Sequence, residues 1–297
     1  MTQKHLRKSI RQAKNRLVFG FKLLVVPISQ TISMRENWLR VKLLFAATLL
    51  FSTTQLFSVA SVNLHDLEVT TTSTEDSHSA LMELPLGLHR IEPPSDAVNR
   101  LLIAIHDANT DGFEWTRPLQ TMDDESTDTF FVRWDSNDCP NTSDEVVRQD
   151  IASLLESNES ITRLTIVGHG MGGVYLSQFA RNWKALTRLD GHVVAAPLKG
   201  TVGVFNDKEC GDILPKRLPP TIRLFQWRIV PSQHSLFKEM SEDPQVVDLD
   251  GSLVISFPEV IDDNTVDSIR ALEIVASRIQ AEYLEAIEQS ESVETQP

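Results

Sequence analysis

The chain has 297 residues, a length that suits one α/β domain with appendages, and its formal net charge is −13. The charge is unevenly divided: residues 1–60 hold ten basic side chains and one acidic side chain, whereas the rest holds 18 basic and 40 acidic side chains, a balance of −22. Such an acidic body repels other polyanions, which excludes nucleic acid as a partner and disfavours anionic lipid headgroups.

The N-terminal segment, residues 1–60, has the pattern of an export signal. An apolar run over 43–51 follows the basic residues, and Ser58-Val59-Ala60 places small residues where a signal peptidase reads them. The alternative is an uncleaved anchor over 41–62 with its basic side in the cytoplasm. In both cases we expect the folded part outside the cytoplasm, in the periplasm or tethered to the membrane by this segment alone. Met34 stands where a signal peptide of ordinary length would begin, so residues 1–33 are interpreted as an upstream extension.

Residues 61–99 are polar and irregular, and they are predicted to form a linker that leads into the domain. The domain itself is expected over 100–289. Its first strand is the continuous apolar run 101–105, as in a parallel sheet that is buried on both faces. A second strand is predicted over 129–134, and the capping box Thr142-Ser143-Asp144-Glu145 announces the helix that follows it.

Later elements continue the alternation of strand and helix. The remaining strands are predicted at 164–167, 191–198 and 222–227, and the segments 245–250 and 252–257 are predicted to form a further strand or hairpin. A long final helix is expected to be capped by Asp263 or Asn264, and the acidic tail 290–297 is predicted to be disordered. This alternation is typical of an α/β fold with a mostly parallel central sheet flanked by helices.

Two cysteines, Cys139 and Cys210, fall in the part that is expected outside the cytoplasm. An oxidising compartment permits a disulfide, and both cysteines lie in loop-like contexts that would follow the carboxyl ends of strands. The sequence therefore predicts either a Cys139–Cys210 disulfide or two unpaired thiols.

The most informative stretch, residues 164–182, contains the hexapeptide Gly168-His169-Gly170-Met171-Gly172-Gly173 between a strand-like run and a helix-like run. This is the local architecture of a nucleophile elbow, G-x-S-x-G, whose turn is too sharp for bulky groups beside its apex. The stretch resembles the α/β-hydrolase superfamily of serine esterases and lipases, in which the hexapeptide often reads Gly-His-Ser-Met-Gly-Gly. Here Gly170 stands at the apex. The resemblance implies an α/β-hydrolase fold, with a minimal cap or none because about 25 residues separate Ala196 from Ile222.

The resemblance also implies where the oxyanion site should lie. The first strand of the domain would end beside it at His106-Asp107, with Asp107 in the place of a glycine, and Met171 would supply a backbone amide. His169 would pack beneath the turn. An acidic side chain is a poor neighbour for a developing negative charge, so Asp107 argues against ordinary acyl chemistry.

In this superfamily the nucleophile is followed along the chain by an acid and then by a histidine. No Asp or Glu occurs between Ile213 and Lys238, where the acid is expected, and no histidine follows His234. His234 and Asp263 are therefore the candidate remnants of a rearranged triad, as base and orienting acid. Such a triad would still have no hydroxyl at Gly170.

These patterns together favour an exported protein that has lost catalysis and acts as a binding or structural module in the cell envelope. The free Met171 amide would leave room for a small acyl or carboxylate ligand. One alternative is an active ester hydrolase (an esterase, lipase or thioesterase) that uses another nucleophile, Ser177 or Ser232. Another is a membrane-tethered scaffold whose specific feature is its acidic surface.

No cofactor is expected. Histidines and aspartates could stand together at the strand ends, but their spacing matches no metal-binding motif, so no metal site is predicted. The residues considered for such a site are His106, Asp107, Asp135, His169 and His234.

Overall fold

A seven-stranded sheet lies between two layers of helices, and its central strands are the apolar runs of the sequence. The computed structural model describes residues 62–67, 80–95, 97–139, 144–199 and 217–294. These residues all belong to one compact unit, Ser58–Pro297. The predicted signal or anchor over 1–60 lies outside them, as does Cys210.

The strands are β1 (Gly87–Arg90), β2 (Arg100–Ile105), β3 (Thr127–Arg133), β4 (Arg163–His169), β5 (Leu189–Val194), β6 (Ile222–Arg228), β7 (Ser252–Ser256), β8 (Val260–Ile261) and β9 (Asn264–Thr265). The helices are α1 (Ala80–Glu83), α2 (Thr116–Met122), α3 (Asp144–Ser157), α4 (Met171–Arg181) and α5 (Ser268–Glu294). Short 3₁₀ turns cover Leu64–Asp66, Phe113–Trp115, Pro231–Gln233 and Phe237–Glu239.

The strand order in the sheet is β1-β3-β2-β4-β5-β6-β7, and neighbouring strands run parallel except for the antiparallel edge pair β1 and β3. β8 and β9 form a separate hairpin. This order, with the glycine turn between β4 and α4 at the centre of the sheet, is that of the α/β-hydrolase fold, so the predicted fold class is confirmed. The connection from β5 to β6, where a cap would lie, includes residues 200–216, which the structure does not describe.

Strand β2 shows why the central strands carry continuous apolar runs. All six of its residues are buried. Leu101, Ile103 and Ile105 pack in one core with residues of α3 and α4, whereas Leu102 and Ala104 pack in a second core with residues of α2 and α5. Side chains alternate between the two faces of a strand, so both sets must be apolar when both faces are covered. Each fully buried Leu or Ile side chain contributes about 1.5–3 kcal/mol.

Ordered structure extends beyond the predicted domain at both ends. Within the predicted linker, helix α1 forms and β1 pairs with β3, so the sheet begins at Gly87. Arg90 of β1 also forms an ion pair with Asp128 of β3, with 2.9 Å between Nη2 and Oδ2. At the other end, α5 continues to Glu294 and includes part of the predicted disordered tail.

Two predictions for the C-terminal third need correction. Of residues 245–257, only Ser252–Ser256 form a strand. Neither Asp263 nor Asn264 caps α5, because the β8–β9 hairpin intervenes. The helix begins instead after Asp267, whose carboxylate accepts a hydrogen bond from the Arg270 N–H at 2.8 Å.

In the described ranges, no helix combines the length and the apolar composition that a membrane crossing requires.

Candidate functional site

The predicted elbow forms at the end of β4. Gly170 has φ 53° and ψ −120°, and α4 begins at the next residue. Two of the neighbouring glycines are required by close backbone approach. A Cβ on Gly168 would lie 2.3 Å from the Gly172 carbonyl oxygen, and a Cβ on Gly172 would lie 2.2 Å from the Ile105 carbonyl oxygen. The glycine pattern is therefore dictated by the packing of α4 against the ends of β2 and β4.

The carboxylate of Asp107 occupies the space above the apex of the elbow. A Cβ on Gly170 would lie 2.2 Å from Asp107 Cγ, closer than any two unbonded carbons can approach. Asp107 Oδ1 accepts hydrogen bonds from the Met171 N–H at 2.6 Å and from the Ala108 N–H at 2.7 Å. In the α/β-hydrolase fold, the amide after the apex and an amide of the loop after β2 are the two donors of the oxyanion hole. Here both donors are engaged by a side chain of the same protein.

His106 holds the backbone of this loop in place. It is fully buried, and its Nδ1 lies 2.5 Å from the Asp107 carbonyl oxygen. Its Nε2 accepts from the Trp134 N–H at 3.2 Å and from Arg133 at 2.9 Å, so the proton of the neutral ring is on Nδ1. Burial lowers the pKa of His106 to about 4. The imidazole is thus neutral at physiological pH, and it positions Asp107 by donating to the carbonyl oxygen.

His169 lies in β4 just before the apex, as predicted, and only 3% of its surface is exposed. Within the described residues, neither of its ring nitrogens has a hydrogen-bond partner. Its charge, when present, acts on His234 and lowers the pKa of that residue. His169 is therefore a buried imidazole close to the elbow, and no carboxylate in the described ranges holds it in one tautomer.

His234 stands after the 3₁₀ turn that follows β6, and its ring stacks on Phe237 with 3.7 Å between centroids. Its Nδ1 accepts from the Leu236 N–H at 3.2 Å, so the neutral ring carries its proton on Nε2. A triad needs the opposite tautomer, in which Nδ1 donates to the acid and Nε2 takes the proton of the nucleophile. Burial lowers the pKa of His234, and the negative charges that oppose this shift come from Asp107 and Asp267.

Asp263, the predicted partner of His234, lies elsewhere. Its φ is 61°, and it forms the exposed tip of the β8–β9 hairpin together with Asp262. No hydrogen bond or ion pair within the described residues joins it to His234. The structure therefore brings Asp107, His169 and His234 into one neighbourhood around Gly170 and leaves Asp263 outside it.

Neither alternative serine reaches the apex. Ser177 is fully buried in α4, where its hydroxyl donates to the Gly173 carbonyl oxygen at 2.9 Å. Ser232 is exposed in the 3₁₀ turn Pro231–Gln233. A hydroxyl needs an adjacent base to become a nucleophile, and neither serine has a hydrogen bond to a histidine among the described residues.

His192 and Cys139 are both held by contacts within the fold. His192 is a core residue: its ring stacks on Phe225, its Nδ1 accepts from Trp227 Nε1 at 3.1 Å, and burial lowers its pKa to about 3. Cys139 is disulfide-bonded. Because Cys210 lies outside the described residues, its pairing with Cys139 stays a prediction.

A cluster of potential metal ligands was not found from the sequence. In the described part of the chain, ligand atoms of His65, Glu92 and Asp123 lie within 4.8 Å of one another, near the amino end of β3. These side chains already bind each other: His65 Nε2 lies 3.0 Å from Asp123 Oδ2, and Glu92 contacts both Asp123 and the Thr129 N–H. Nothing beyond their spacing points to a metal ion.

Replacing Glu92 by glutamine is expected to stabilise the protein at high pH only. Burial and the neighbouring Asp123 carboxylate raise the pKa of Glu92 from 4.5 to about 8. The folded state therefore holds a proton that the unfolded chain releases, and stability is lost as the pH rises from about 4.5 to about 8. Glutamine cannot ionise. Because Glu92 is only half-buried, we expect a gain of about 1–2 kcal/mol at about pH 8.5 and almost none at about pH 4.5, measured by urea unfolding.

The matched control for this experiment is Glu125→Gln, which removes an exposed carboxylate from the same region. Its stability should follow that of the wild type at both pH values. Parallel pH profiles for the wild type and Glu92→Gln would show that the contact between Glu92 and Asp123 does not bind a proton.

No protein-family model matches this sequence. A comparison with curated proteins finds no match either. Among solved structures, Est1E from Butyrivibrio proteoclasticus is similar with 10% identity and a TM-score of 0.42, and the match covers 65% of this chain and 90% of that protein.

Two other solved structures are similar to a comparable degree. The Pyrococcus furiosus esterase Pf2001 shares 10% identity with a TM-score of 0.39, over 65% of this chain and 83% of that protein. A hormone-sensitive lipase from a metagenome library shares 9% identity with a TM-score of 0.39, over 75% of this chain and 95% of its own length. Matches of this strength transfer neither activity nor substrate. What places this chain in the α/β-hydrolase fold is its own strand order and its elbow at the end of β4.

Proposed function

We propose that this chain is an α/β-hydrolase-fold protein without triad hydrolysis, and that it acts as a binding or structural module in the cell envelope. The observation that supports this most is the position of the Asp107 carboxylate. It fills the space above Gly170 and accepts hydrogen bonds from the Met171 and Ala108 amides at 2.6 and 2.7 Å. An anion already held by both donors leaves no preorganised site for a second, developing negative charge.

The protonation of His234 supports the same conclusion. With its Nδ1 bonded to the Leu236 N–H, His234 has no lone pair at Nε2 with which to accept a proton. An active ester hydrolase with another arrangement is the alternative. It would require His234 to leave this hydrogen bond, Asp107 to leave the elbow, and a nucleophile to come from elsewhere.

We also propose that the elbow can bind a small acyl or carboxylate ligand, on one condition. Such a ligand must displace the Asp107 carboxylate from the Met171 N–H, or bind beside it without using that donor. The placement in the cell envelope rests on the signal or anchor pattern of residues 1–60 alone.

The full chain is expected to show neither turnover of short-chain nitrophenyl esters above the buffer rate nor labelling by a fluorophosphonate probe. His234→Ala should behave identically, because we assign no catalytic role to that side chain. Steady-state assays and intact-mass spectrometry measure both results. Turnover that the probe abolishes, or that His234→Ala reduces about 100-fold or more, would establish the active alternative.

A further inference from the structure

A cavity of about 510 Å³ lies at the amino ends of the central strands, whereas the elbow lies at their carboxyl ends. It is bounded by the amino ends of strands β2, β4, β5 and β6 and by the second half of α5. Four of its lining residues are arginines, namely Arg100, Arg163, Arg188 and Arg223. Cavities of this volume are typical of sites for small molecules. Since a strand of seven residues is roughly 20 Å long, this cavity is separate from the elbow.

The alternation of side chains between the two faces of each strand explains why these charged side chains lie together. Arg100 pairs with Arg163 across β2 and β4, and both lie on the face whose later residues pack against α2 and α5. Asp190 pairs with Arg223 across β5 and β6 on the same face. The strands thus carry apolar residues on this face toward their carboxyl ends and charged residues at their amino ends, where the cavity opens.

The cavity is positively charged although the domain is acidic. Two carboxylates line it, Asp190 and Glu282. Asp190 is held by Arg223 in two hydrogen bonds of 2.6 and 2.5 Å and lies 3.5 Å from Arg188. Glu282 pairs with Arg278 at 3.3 Å, from outside the lining. Four arginines against two carboxylates leave an excess of two positive charges.

Among the described residues, Arg100 and Arg163 are the two lining arginines without an ion pair, although the carboxylates of Asp124 and Asp123 act on Arg100 from a greater distance. In the described part of the chain, neither guanidinium has a carboxylate within ion-pair distance. The Arg100 side chain is almost fully buried: its Nη2 donates to the Met122 carbonyl oxygen and to Gln280, but its Nε and Nη1 have no described partner. Unpaired donors on a buried cation are costly, typically about 1–3 kcal/mol each, and the uncompensated charge of Arg100 attracts an anion into the cavity beside it.

Both guanidinium groups lie against the same aromatic ring, that of Tyr283. The carbon of the Arg100 guanidinium lies 4.0 Å from the centre of the Tyr283 ring, and that of Arg163 lies 5.3 Å from it. The Tyr283 hydroxyl is fixed by hydrogen bonds to Ser126 and Asn99 at 2.6 and 2.9 Å. The two cations therefore have a rigid aromatic support, which limits the entropy lost when a ligand binds.

We propose that this cavity binds a small organic oxyanion, a phosphate or carboxylate group on an apolar body, with the exposed Arg163 holding the charged group and the buried Arg100 adding its positive charge beside it. Guanidinium groups bind both oxyanions through paired N–H donors. Phe225, Ile279 and Ala286 line the cavity and provide contacts for the apolar part. This site is independent of the elbow and of the function proposed above.

The test is calorimetric titration of the full chain with phenyl phosphate, benzoate and neutral benzyl alcohol. We expect saturable one-to-one binding of at least one anion, competition by inorganic phosphate, and no saturable binding of the alcohol. Arg163→Gln should weaken anion binding about tenfold or more. Arg163 is exposed, so this variant should fold, and circular dichroism checks that it does.

The matched control is Arg117→Gln, which removes an exposed arginine that pairs with Glu273 outside the cavity. It should change the dissociation constant less than about twofold. Binding of phenyl phosphate alone identifies the ligand class as phosphate, and binding of benzoate alone identifies it as carboxylate. No saturable binding up to about 10 mM, or equal weakening by Arg163→Gln and Arg117→Gln, would overturn the proposal. Neither outcome bears on hydrolysis at the elbow.

Discussion

Replacing Gly172 by alanine is expected to destabilise the fold by about 3 kcal/mol or more. The added Cβ would lie 2.2 Å from the Ile105 carbonyl oxygen and 2.6 Å from that of His106. Ile105 is the last residue of β2, which β3 and β4 hold from either side, and His106 follows it directly. Neither backbone can move away without breaking the sheet or shifting α4. Urea unfolding followed by tryptophan fluorescence measures the loss, since the chain has five tryptophans.

Gly191→Ala is the matched control for this prediction. Its Cβ would lie 2.7 Å from Leu224 Cδ1 and 3.3 Å from Leu189 Cδ2, which are the far ends of flexible side chains. Those side chains can change rotamer, so we expect a loss of about 1 kcal/mol. Equal losses in the two variants would mean that backbone approach between α4 and β2 is not the reason for the glycine.

The fold could be predicted from the sequence wherever burial produces a continuous apolar run. Strands β2 to β5 were found in this way because both of their faces are covered, whereas β6 was predicted from its partial alternation of apolar and polar residues. Strand β1 was missed because Gly87–Arg90 is short, half-buried and paired on one side only. Residues 245–250 were wrongly predicted as extended. The Gln245 side chain, rather than a strand backbone, forms hydrogen bonds with the backbone after β6. Its amide accepts from the Ile229 N–H at 3.1 Å and donates to the Ile229 carbonyl oxygen at 2.9 Å.

The elbow was predictable because its strand, glycine turn and helix are contiguous in the sequence, although the contact that requires Gly172 is made with Ile105 of another strand. The position of the Asp107 carboxylate above Gly170 was not predictable from the sequence. It depends on a contact between Asp107 and Met171, which are 64 residues apart, and only the fold brings them together. The sequence could show that Asp107 stands where the superfamily has a glycine, but not that its carboxylate accepts hydrogen bonds from the Met171 and Ala108 amides. The prediction that Asp263 caps α5 was wrong for a similar reason, since Asp263 lies at the tip of the β8–β9 hairpin and β9 separates it from the helix.

Replacing Gly170 by serine is expected to destabilise the protein by about 2–4 kcal/mol, and combining it with Asp107→Gly is expected to cost less than the sum of the two single effects. The serine Cβ would be placed at φ 53°, which strains a residue other than glycine, and 2.2 Å from Asp107 Cγ. Asp107→Gly alone should cost about 1–2 kcal/mol through the lost hydrogen bonds to Met171 and Ala108. The double variant should then be more stable than the sum of the single effects by about 1–3 kcal/mol, measured as a double-mutant cycle in urea.

Gly170→Ala, combined with Asp107→Gly in the same way, separates the Cβ from the hydroxyl. Because the clash involves the Cβ, the two cycles should give the same coupling energy within about 0.5 kcal/mol. Ester turnover of the Gly170→Ser, Asp107→Gly variant should stay at the buffer rate, because His234 Nδ1 is still bonded to the Leu236 N–H. Additive effects in both cycles would mean that Asp107 does not occupy the apex in solution. Coupling in the serine cycle alone would point to a hydrogen bond between the new hydroxyl and the loop after β2, with the oxyanion donors free to bind a ligand.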